Sequence, residues 1–155
     1  MSIALPGSTT HSVLDHARTT AQADGLGYAG RVPPLEAWAL VQNGAAVLVD
    51  VRSGEERKFV GHVPGSLHVA WATGTALTRN PRFVRELEGK VGKDQVVLLL
   101  CRSGKRSALA AEAATKAGFA NVFNVLEGFE GEINAAGQRG SADGWRFRGL
   151  PWIQD

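Results

Sequence analysis

VVLLLCRSGKRSALAAEAATKAG, residues Val96 to Gly118, is the stretch that decides the fold. Its opening run of apolar residues predicts a strand buried on both faces of a parallel sheet, and the segment from Ser107 to Ala117 predicts a helix that follows directly. Cys101 then lies at the carboxyl end of a strand and faces the amino end of a helix. Because open α/β sheets bind their ligands at this edge, Cys101 is the candidate reactive centre.

Outward from this stretch, helical and extended patterns alternate along the chain. Predicted helices lie at residues 12–23, from Pro34 to about residue 43, and at 55–60, 80–87 and 107–117. Predicted strands lie near Tyr28 and at residues 45–51, 66–70, 96–100 and 122–126. Leu35, Trp38 and Val41 are predicted to share the inward face of the second helix. The alternation implies crossover units and a mainly parallel sheet, so the predicted fold class is α/β.

The length of 155 residues suits one domain with a core that needs no disulfide or metal. Residues 1–24 are expected to form an amino-terminal extension with a short helix, packed on a domain of residues 25–155. A glycine-rich polar segment at residues 134–144 predicts a surface loop. The aromatic tail WRFRGLPWIQD, which begins at Trp145, is expected to pack on the body, and a partner site is the alternative.

Composition and charge exclude several functional classes. The single cysteine rules out an internal disulfide and multi-cysteine zinc sites, and the four histidines do not have the spacing of a helical metal pair. A formal charge of +2, spread along the chain, does not indicate nucleic-acid binding. There is no signal-peptide pattern and no apolar run of about 18 residues, so no membrane partner and a cytoplasmic location are expected.

The residues after Cys101 favour a reactive thiol. Cysteine attacks as the thiolate, and an unperturbed thiol, with a pKa of about 8.5, is mostly protonated at neutral pH. A helix dipole contributes roughly 0.3 to 1 kcal/mol, whereas lowering a pKa by two units takes about 2.7 kcal/mol. The loop N–H groups and the cations Arg102, Lys105 and Arg106 must therefore supply most of the stabilisation. Gly104 allows the loop to turn its N–H groups inward as an anion cradle.

Each of these residues also has a structural interpretation. Cys101 alone would suit a buried apolar residue at the end of a strand, as free cysteines often are. The nearby cations could be a solvated surface. Asp50 and Arg52, at the end of another predicted strand, are favoured as a structural ion pair over a direct chemical role, and His62 is favoured as structural over a general base.

Five segments, taken in order, resemble a single-domain rhodanese, a sulfurtransferase family. They are Leu48-Val49-Asp50-Val51-Arg52, Gly61-His62-Val63-Pro64-Gly65-Ser66, Cys101-Arg102-Ser103-Gly104-Lys105-Arg106-Ser107, Gly118-Phe119 with Asn121-Val122, and Gly149-Leu150-Pro151-Trp152. The resemblance implies a five-stranded, mostly parallel sheet with helices on both faces.

The resemblance also implies roles for individual residues. Cys101 matches the family's sulfur carrier, which accepts a sulfane sulfur as a persulfide, and Asp50 and Arg52 match a supporting pair. The loop that wraps the bound sulfur, and so binds the substrate, corresponds to Arg102, Ser103, Gly104, Lys105, Arg106 and Ser107. One departure is that the family's double glycine and tryptophan after the last strand appear here as Glu127-Gly128-Phe129-Glu130-Gly131, which changes the rim of the site.

The implied reaction is transfer of sulfur from a small anionic donor such as thiosulfate to cyanide, a thiol or a protein acceptor, without metal or organic cofactor. The alternatives are a persulfide carrier for protein partners, a non-catalytic module of the same fold, and a cysteine phosphatase or arsenate reductase. The last class places arginine after five intervening residues. Here four residues separate Cys101 from Arg106, which makes a tighter loop that is better matched to sulfur.

Overall fold

The structure is a computed structural model that describes residues 7–154, with side chains described from residue 12. The helices are α1 (Gly7–Asp24), α2 (Pro34–Gln42), α3 (Gly54–Val60), α4 (Phe83–Glu88) and α5 (Lys105–Lys116). The strands are β1 (Gly30–Val32), β2 (Val47–Asp50), β3 (Leu67–His68), β4 (Ala72–Thr73), β5 (Thr78–Arg79), β6 (Val97–Leu100) and β7 (Val122–Val125).

Five strands form one sheet in the order β1-β7-β6-β2-β3, and every neighbouring pair is parallel. The strand β6 is central because it pairs with both β2 and β7. Every residue of β6 is buried, as expected for a strand covered on both faces. The predicted α/β class with a mostly parallel, five-stranded sheet is therefore confirmed.

Helices cover the two faces of the sheet and enclose two hydrophobic cores. One core receives Phe83 and Leu87 of α4 and Ala110, Ala111 and Ala114 of α5. The other receives Leu14 and Ala17 of α1 and Ala37 and Leu40 of α2. Successive residues of β6 point to opposite sides, so Leu99 joins the first core and Leu98 the second. No helix within residues 7–154 has the length and apolar character needed to cross a bilayer.

The amino-terminal helix is longer than the sequence pattern indicates, since α1 begins at Gly7 instead of residue 12. Leu14 and Ala17 pack into the second core, and β1 approaches the helix so closely that a β-carbon on Gly30 would lie 2.6 Å from the Ala17 carbonyl oxygen. The boundary between residues 24 and 25 stays a prediction. The first six residues of the expected extension lie outside the described residues.

Three local predictions differ from the structure. The edge strand lies at Gly30–Val32, after Tyr28, because these residues pair with β7. In α2, Trp38 and Val41 of the predicted face pack against the second core, but Leu35 is 46% exposed and the fully buried residues include Ala37 and Leu40. The short hairpin of β4 and β5 was not expected, because two-residue strands leave no readable alternation.

Candidate active site

Cys101 directly follows β6 and is 1% exposed. Its Sγ accepts hydrogen bonds from the Gly104 N–H at 3.0 Å and from the Ser107 hydroxyl at 3.3 Å. Gly104 has φ +100°, a left-handed conformation that turns the chain directly from the loop into α5. The helix begins at Lys105, two residues earlier than predicted, so Lys105 and Arg106 lie in its first turn.

The loop offers unused N–H groups around the sulfur. Within the described residues, only Gly104 among positions 102–107 donates its backbone N–H to a protein acceptor. The N–H groups in the first turn of α5 have no intrahelical partner, as at any helix start. The arrangement can therefore bind an anion attached to or placed beside the Cys101 sulfur.

A buried asparagine, which the sequence analysis missed, completes the surroundings of the sulfur. Asn124 of β7 is 4% exposed. Its Nδ2 donates to the Gly104 carbonyl oxygen at 3.0 Å, and its Oδ1 accepts from the Ser107 hydroxyl. Asn124 also forms a hydrogen bond with Tyr28 that opposes the rise in the Tyr28 pKa caused by burial. The only sequence signal was a polar residue inside the apolar run of β7.

The three cations of the loop have different environments. Arg106 donates to both carboxylate oxygens of Glu56, at 2.7 and 2.8 Å. Burial alone would raise the pKa of Glu56, but hydrogen bonds and charge from Arg106, helped by Ser53, lower that pKa to about 2. The same pairing raises the Arg106 pKa against the effect of burial. The side chain of Lys105 is exposed.

Arg102 points toward a cavity next to the cysteine loop. Its Nε is buried and has no hydrogen-bond partner among the described residues. The cavity, of about 360 Å³, is lined by Ser53, Glu55, Glu56, Val60, Gly74, Thr75, Leu77, Arg102 and Glu130. Among the described residues, Arg102 has no carboxylate partner and lines this cavity, so it is the loop cation suited to contact an anionic ligand.

Asp50 and Arg52 form a fully buried ion pair next to the loop. The Arg52 Nη2 lies 2.8 Å from an Asp50 carboxylate oxygen and donates to the Gly61 carbonyl oxygen at 2.7 Å. Arg57 donates to the same carboxylate at 3.0 Å. The Arg52 guanidinium also lies 4.2 Å above the Phe129 ring. This geometry fits the structural interpretation of the pair, which joins the end of β2 to the rim of the site.

The segment 127–131, where the sequence departs from the resembled pattern, holds the back of the cysteine loop. The N–H of Phe129 donates to the Cys101 carbonyl oxygen at 2.7 Å, and the N–H of Glu130 donates to that of Arg102 at 3.0 Å. A β-carbon on Gly128 would lie 2.4 Å from the Arg102 carbonyl group. Glycine at this position is therefore required by close packing, and the altered rim still supports the loop.

His62 pairs with the carboxyl-terminal tail. Its backbone exchanges two hydrogen bonds of 2.8 Å with Ile153 of the tail, and its ring lines a second cavity with His68. The structure thus places His62 with the tail, which fits a structural role for its backbone. Among the described residues, no group of three or more His, Cys, Asp or Glu side chains is arranged to hold a metal ion.

Sequence comparison relates the chain to one protein family and to proteins of similar length. A family model described as Rhodanese-like domain matches residues 33–134. An uncharacterized protein of Rickettsia rickettsii is 34% identical over 118 residues, which cover 73% of this chain and 87% of that protein. The thiosulfate sulfurtransferase GlpE of Actinobacillus pleuropneumoniae is 28% identical over 120 residues, covering 77% of this chain and 89% of the relative.

Solved structures agree with these sequence matches. The crystal structure of Rv0390 from M. tuberculosis superposes with a TM-score of 0.74 at 47% identity, covering 83% of this chain and 99% of that chain. A polysulfide-sulfur transferase homodimer from Wolinella succinogenes has a TM-score of 0.53 at 21% identity, covering 96% and 93%. The second similarity concerns the fold alone.

Proposed function

The chain belongs to the rhodanese-like domain family, and on this premise we propose that it is a sulfurtransferase that carries a sulfane sulfur on Cys101. The Cys101 thiolate attacks the outer sulfur of a donor such as thiosulfate. A bond forms between Sγ and that sulfur, the donor's S–S bond breaks, and sulfite leaves with the bonding electrons. A nucleophilic acceptor, such as cyanide or a thiol, then attacks the terminal sulfur, and Sγ leaves as the thiolate.

The observation that carries this proposal is the hydrogen-bonding environment of the Cys101 sulfur. Two donors already contact Sγ, and the remaining loop N–H groups face no protein acceptor within the described residues. Preorganised donors of this kind stabilise negative charge on a thiolate and on the terminal sulfur of a persulfide. A buried cysteine that only packs in a hydrophobic core does not require several hydrogen-bond donors around its sulfur.

The cavity beside the cysteine loop would bind the sulfur donor. Arg102 supplies a positive charge there with a buried, unpaired Nε. Ser103, Gly104, Lys105, Arg106 and Ser107 supply backbone N–H groups, and Asp50 and Arg52 support the loop from below. No metal or organic cofactor enters the proposed reaction. The expected partners are a small anionic donor and a thiol, cyanide or protein acceptor, in the cytoplasm, with no role for nucleic acid or a membrane.

A cysteine phosphatase or arsenate reductase is disfavoured by the position of Arg106. Four residues separate it from Cys101, and its guanidinium is already bound by both oxygens of Glu56. An arginine that stabilises a transferring oxyanion must instead offer its N–H groups to the ligand. A persulfide carrier that serves protein partners has the same chemistry at Cys101 and differs only in its donor and acceptor.

Mass spectrometry of the intact protein after exposure to thiosulfate tests the proposal. One sulfur atom should be added, mapped by peptide analysis to Cys101, and released on addition of cyanide as thiocyanate. Cys101→Ser should neither gain sulfur nor produce thiocyanate. Unmodified wild-type protein, or thiocyanate formation by Cys101→Ser, would refute the proposed reaction. A much faster rate from a protein persulfide donor than from thiosulfate would identify a carrier for protein partners.

A further inference from the structure

Asn124 joins the two groups that contact the Cys101 sulfur. Its Nδ2 holds the carbonyl oxygen of Gly104, whose N–H lies 3.0 Å from Sγ, and its Oδ1 accepts from the Ser107 hydroxyl, which lies 3.3 Å from Sγ. The amide orientation follows from its partners, because a carbonyl oxygen at Gly104 requires a donor. One buried side chain on β7 thus fixes both hydrogen bonds to the sulfur.

The Ser107 hydroxyl has one proton and two acceptors. It can donate to the Asn124 Oδ1 or to the Cys101 Sγ, but not fully to both. When the sulfur is neutral, as a thiol or as the inner sulfur of a persulfide, the amide oxygen is the stronger acceptor. When the sulfur is a thiolate, charge favours donation to Sγ. In the proposed reaction Sγ is a thiolate when it attacks the donor and again when it leaves the transferred sulfur.

We propose that Asn124 is a positioning residue for sulfur transfer. It holds the Gly104 N–H and the Ser107 hydroxyl close to the Cys101 sulfur. While the sulfur is uncharged, the Asn124 Oδ1 accepts the hydrogen bond from the Ser107 hydroxyl. The expected effect on kcat rests on the proposed sulfurtransferase function, whereas the effect on the reactivity of the Cys101 thiol does not. The charged and titratable groups near the thiol and Asn124 are Arg102, Arg106 with its partner Glu56 on α3, Asp50, and Tyr28, which forms a hydrogen bond with Asn124.

Kinetics of single and double variants test the positioning role. Asn124→Ala should reduce kcat for sulfur transfer by about 10- to 100-fold, with a change of less than about threefold in KM for thiosulfate. Ser107→Ala should reduce kcat less. The double variant should be no slower than Asn124→Ala, because Ser107 is no longer held once Asn124 is removed. Wild-type kcat in Asn124→Ala, or losses that multiply in the double variant, would overturn the proposal.

Alkylation of Cys101 by iodoacetamide provides a second measurement that needs no sulfur donor. Asn124→Asp is nearly isosteric and places a carboxylate beside Ser107, so the midpoint of the alkylation pH profile should rise by about one unit. The matched control is Asn121→Asp on the same segment, whose amide donates to the Asp94 carbonyl oxygen, away from the sulfur. Equal midpoints for Asn124→Asp and the control would refute the role of Asn124, even if the wild type transfers no sulfur.

The cavity on the other side of α3 is lined by basic side chains. It has a volume of about 340 Å³ and is lined by Gly54, Arg57, Lys58, His62 and His68. No acidic side chain among the described residues lines it. The helix thus separates this basic cavity, which contacts Arg57 and Lys58, from the cavity near Cys101, which contacts Glu55 and Glu56.

The ionised side chains beneath this basic cavity carry a net positive charge. The Asp50 carboxylate is shared by Arg52 and Arg57, at 2.8 and 3.0 Å, so the three groups together carry one excess positive charge. The Nδ1 of His62 is enclosed and has no hydrogen-bond partner in the part of the chain that the structure describes. The Nε2–H of His68 donates to the Arg52 carbonyl oxygen at 2.7 Å, which fixes the ring at the wall of the cavity.

We infer that the basic cavity binds a phosphate or sulfate group, either as the free anion or as part of a larger molecule. A partly buried excess of positive charge, with the Lys58 side chain lining the same cavity, suits an oxyanion with several acceptor oxygens. This site does not depend on the chemistry at Cys101.

NMR titration of the His62 and His68 ring signals with inorganic phosphate, at constant ionic strength, tests the site. The shifts should saturate, and Lys58→Gln should weaken binding by about 5- to 10-fold, which corresponds to one lost charge-assisted contact. Lys116→Gln, at the far end of α5, should not. Tighter binding of phenyl phosphate would indicate a larger natural ligand, and equal binding would indicate the free anion. Unsaturable shifts like those from chloride, or equal affinities of the two lysine variants, would overturn the inference.

Discussion

The Arg106 guanidinium forms an ion pair with Glu56 and does not point at a ligand-binding space. Both N–H groups that face α3 bind the carboxylate, and Ser53 adds a capping box at the start of that helix. The pair therefore ties the first turn of α5 to α3 and fixes the wall of the cavity near Cys101. In the proposed reaction Arg106 would hold the loop, while Arg102 would bind the sulfur donor.

Glu56→Gln should reduce the sensitivity of the fold to acid. The pKa of Glu56 is lowered to about 2 in the folded protein, so its stabilising effect is present above its ordinary pKa and is lost as the pH falls toward 2. After allowance for solvent screening, we expect the pair to contribute about 2 kcal/mol at neutral pH. Urea unfolding at pH 7, 4 and 3 should show the wild type losing this advantage over the variant.

The control for this prediction is Glu88→Gln, which removes an exposed carboxylate that lies 3.3 Å from Lys93. Exposed pairs contribute about 0 to 1 kcal/mol, so this change should leave the acid dependence of stability almost unaltered. If Glu56→Gln had the same pH dependence of unfolding as the wild type, the ion pair would not be the source of acid lability.

Arg102→Ala should weaken thiosulfate binding. Its side chain lines the cavity beside Cys101 and its Nε has no hydrogen-bond partner among the described residues, so its loss should raise KM for thiosulfate by about 10-fold with a smaller change in kcat. Lys105→Ala is the matched control, since Lys105 is exposed and lies nearby, at the start of α5. Steady-state thiocyanate production measures both variants. An equal increase in KM for the two would mean that general positive charge, and not Arg102, attracts the donor.

The cysteine loop is held between two elements that the chain reaches much later. The turn of Gly104 opens α5, and the segment 127–131 binds the carbonyl oxygens of Cys101 and Arg102 from behind. Phe129 of that segment packs beneath Arg52, so the end of β2 is joined to the same support. The loop geometry is therefore set by β6, α5 and this segment together.

Gly128→Ala should disable the site, because the new β-carbon would lie 2.4 Å from the Arg102 carbonyl group. The segment must move away and lose its hydrogen bonds to the loop, so kcat should fall by about 100-fold, an effect of the size seen when active-site donors are misplaced. Thiocyanate production and thermal unfolding measure the result.

Gly137→Ala separates this collision from the strain of a left-handed backbone. Gly128 and Gly137 have similar φ values of +70° and +77°, but a β-carbon on Gly137 would have no atom of residues 7–154 within 4 Å. The control should therefore lose only about 1 kcal/mol of stability and keep its activity. Equal activity losses in the two variants would show that backbone strain, and not contact with the loop, is responsible.

Sequence reasoning predicts the elements whose signals are local. The apolar run of β6, the alanine-rich helix and the position of Cys101 between them all follow from neighbouring residues. The exact start of α5 does not, because it depends on Gly104 adopting φ +100° in contact with β7 and the 127–131 segment. The edge strand β1 is displaced for a similar reason, since only its pairing with β7 defines it.

Partners that are distant in the chain explain what sequence reasoning could not find. Glu56 meets Arg106 across 50 positions, and Asn124 meets Ser107 across 17. Neither residue stands out by type, since a glutamate on a short helix suits a solvated face and an asparagine in a strand suits an edge. Their roles appear only when the sheet brings the ends of β2, β6 and β7 together. The candidate cysteine and its loop could be predicted, but the groups that orient them could not.

The tail that begins at Trp145 contacts three separate segments near the site. Trp145 is fully buried, packs edge-on against Trp38 of α2, and donates its Nε1–H to the Pro151 carbonyl oxygen at 2.8 Å. Trp152 contacts the Phe129 ring edge-on, and Ile153 pairs with His62. The tail thus packs on the body as expected, and it links α2, the loop after α3 and the 127–131 segment.

Ending the chain after Leu150 should therefore destabilise the whole protein. Besides the exposed hydrogen bond of Gln154 with Phe59, the change removes three hydrogen bonds, those of His62 with Ile153 and of Trp145 with Pro151, and the aromatic contact of Trp152 with Phe129. At about 1 kcal/mol each, the loss is about 4 kcal/mol, which lowers Tm by about 8 to 16 °C. A chain ended after Ile153 loses only the Gln154 contact with the Phe59 carbonyl oxygen, so its Tm should stay near that of the full chain. Equal Tm values for the two truncations, measured by calorimetry, would show that the tail merely covers the surface.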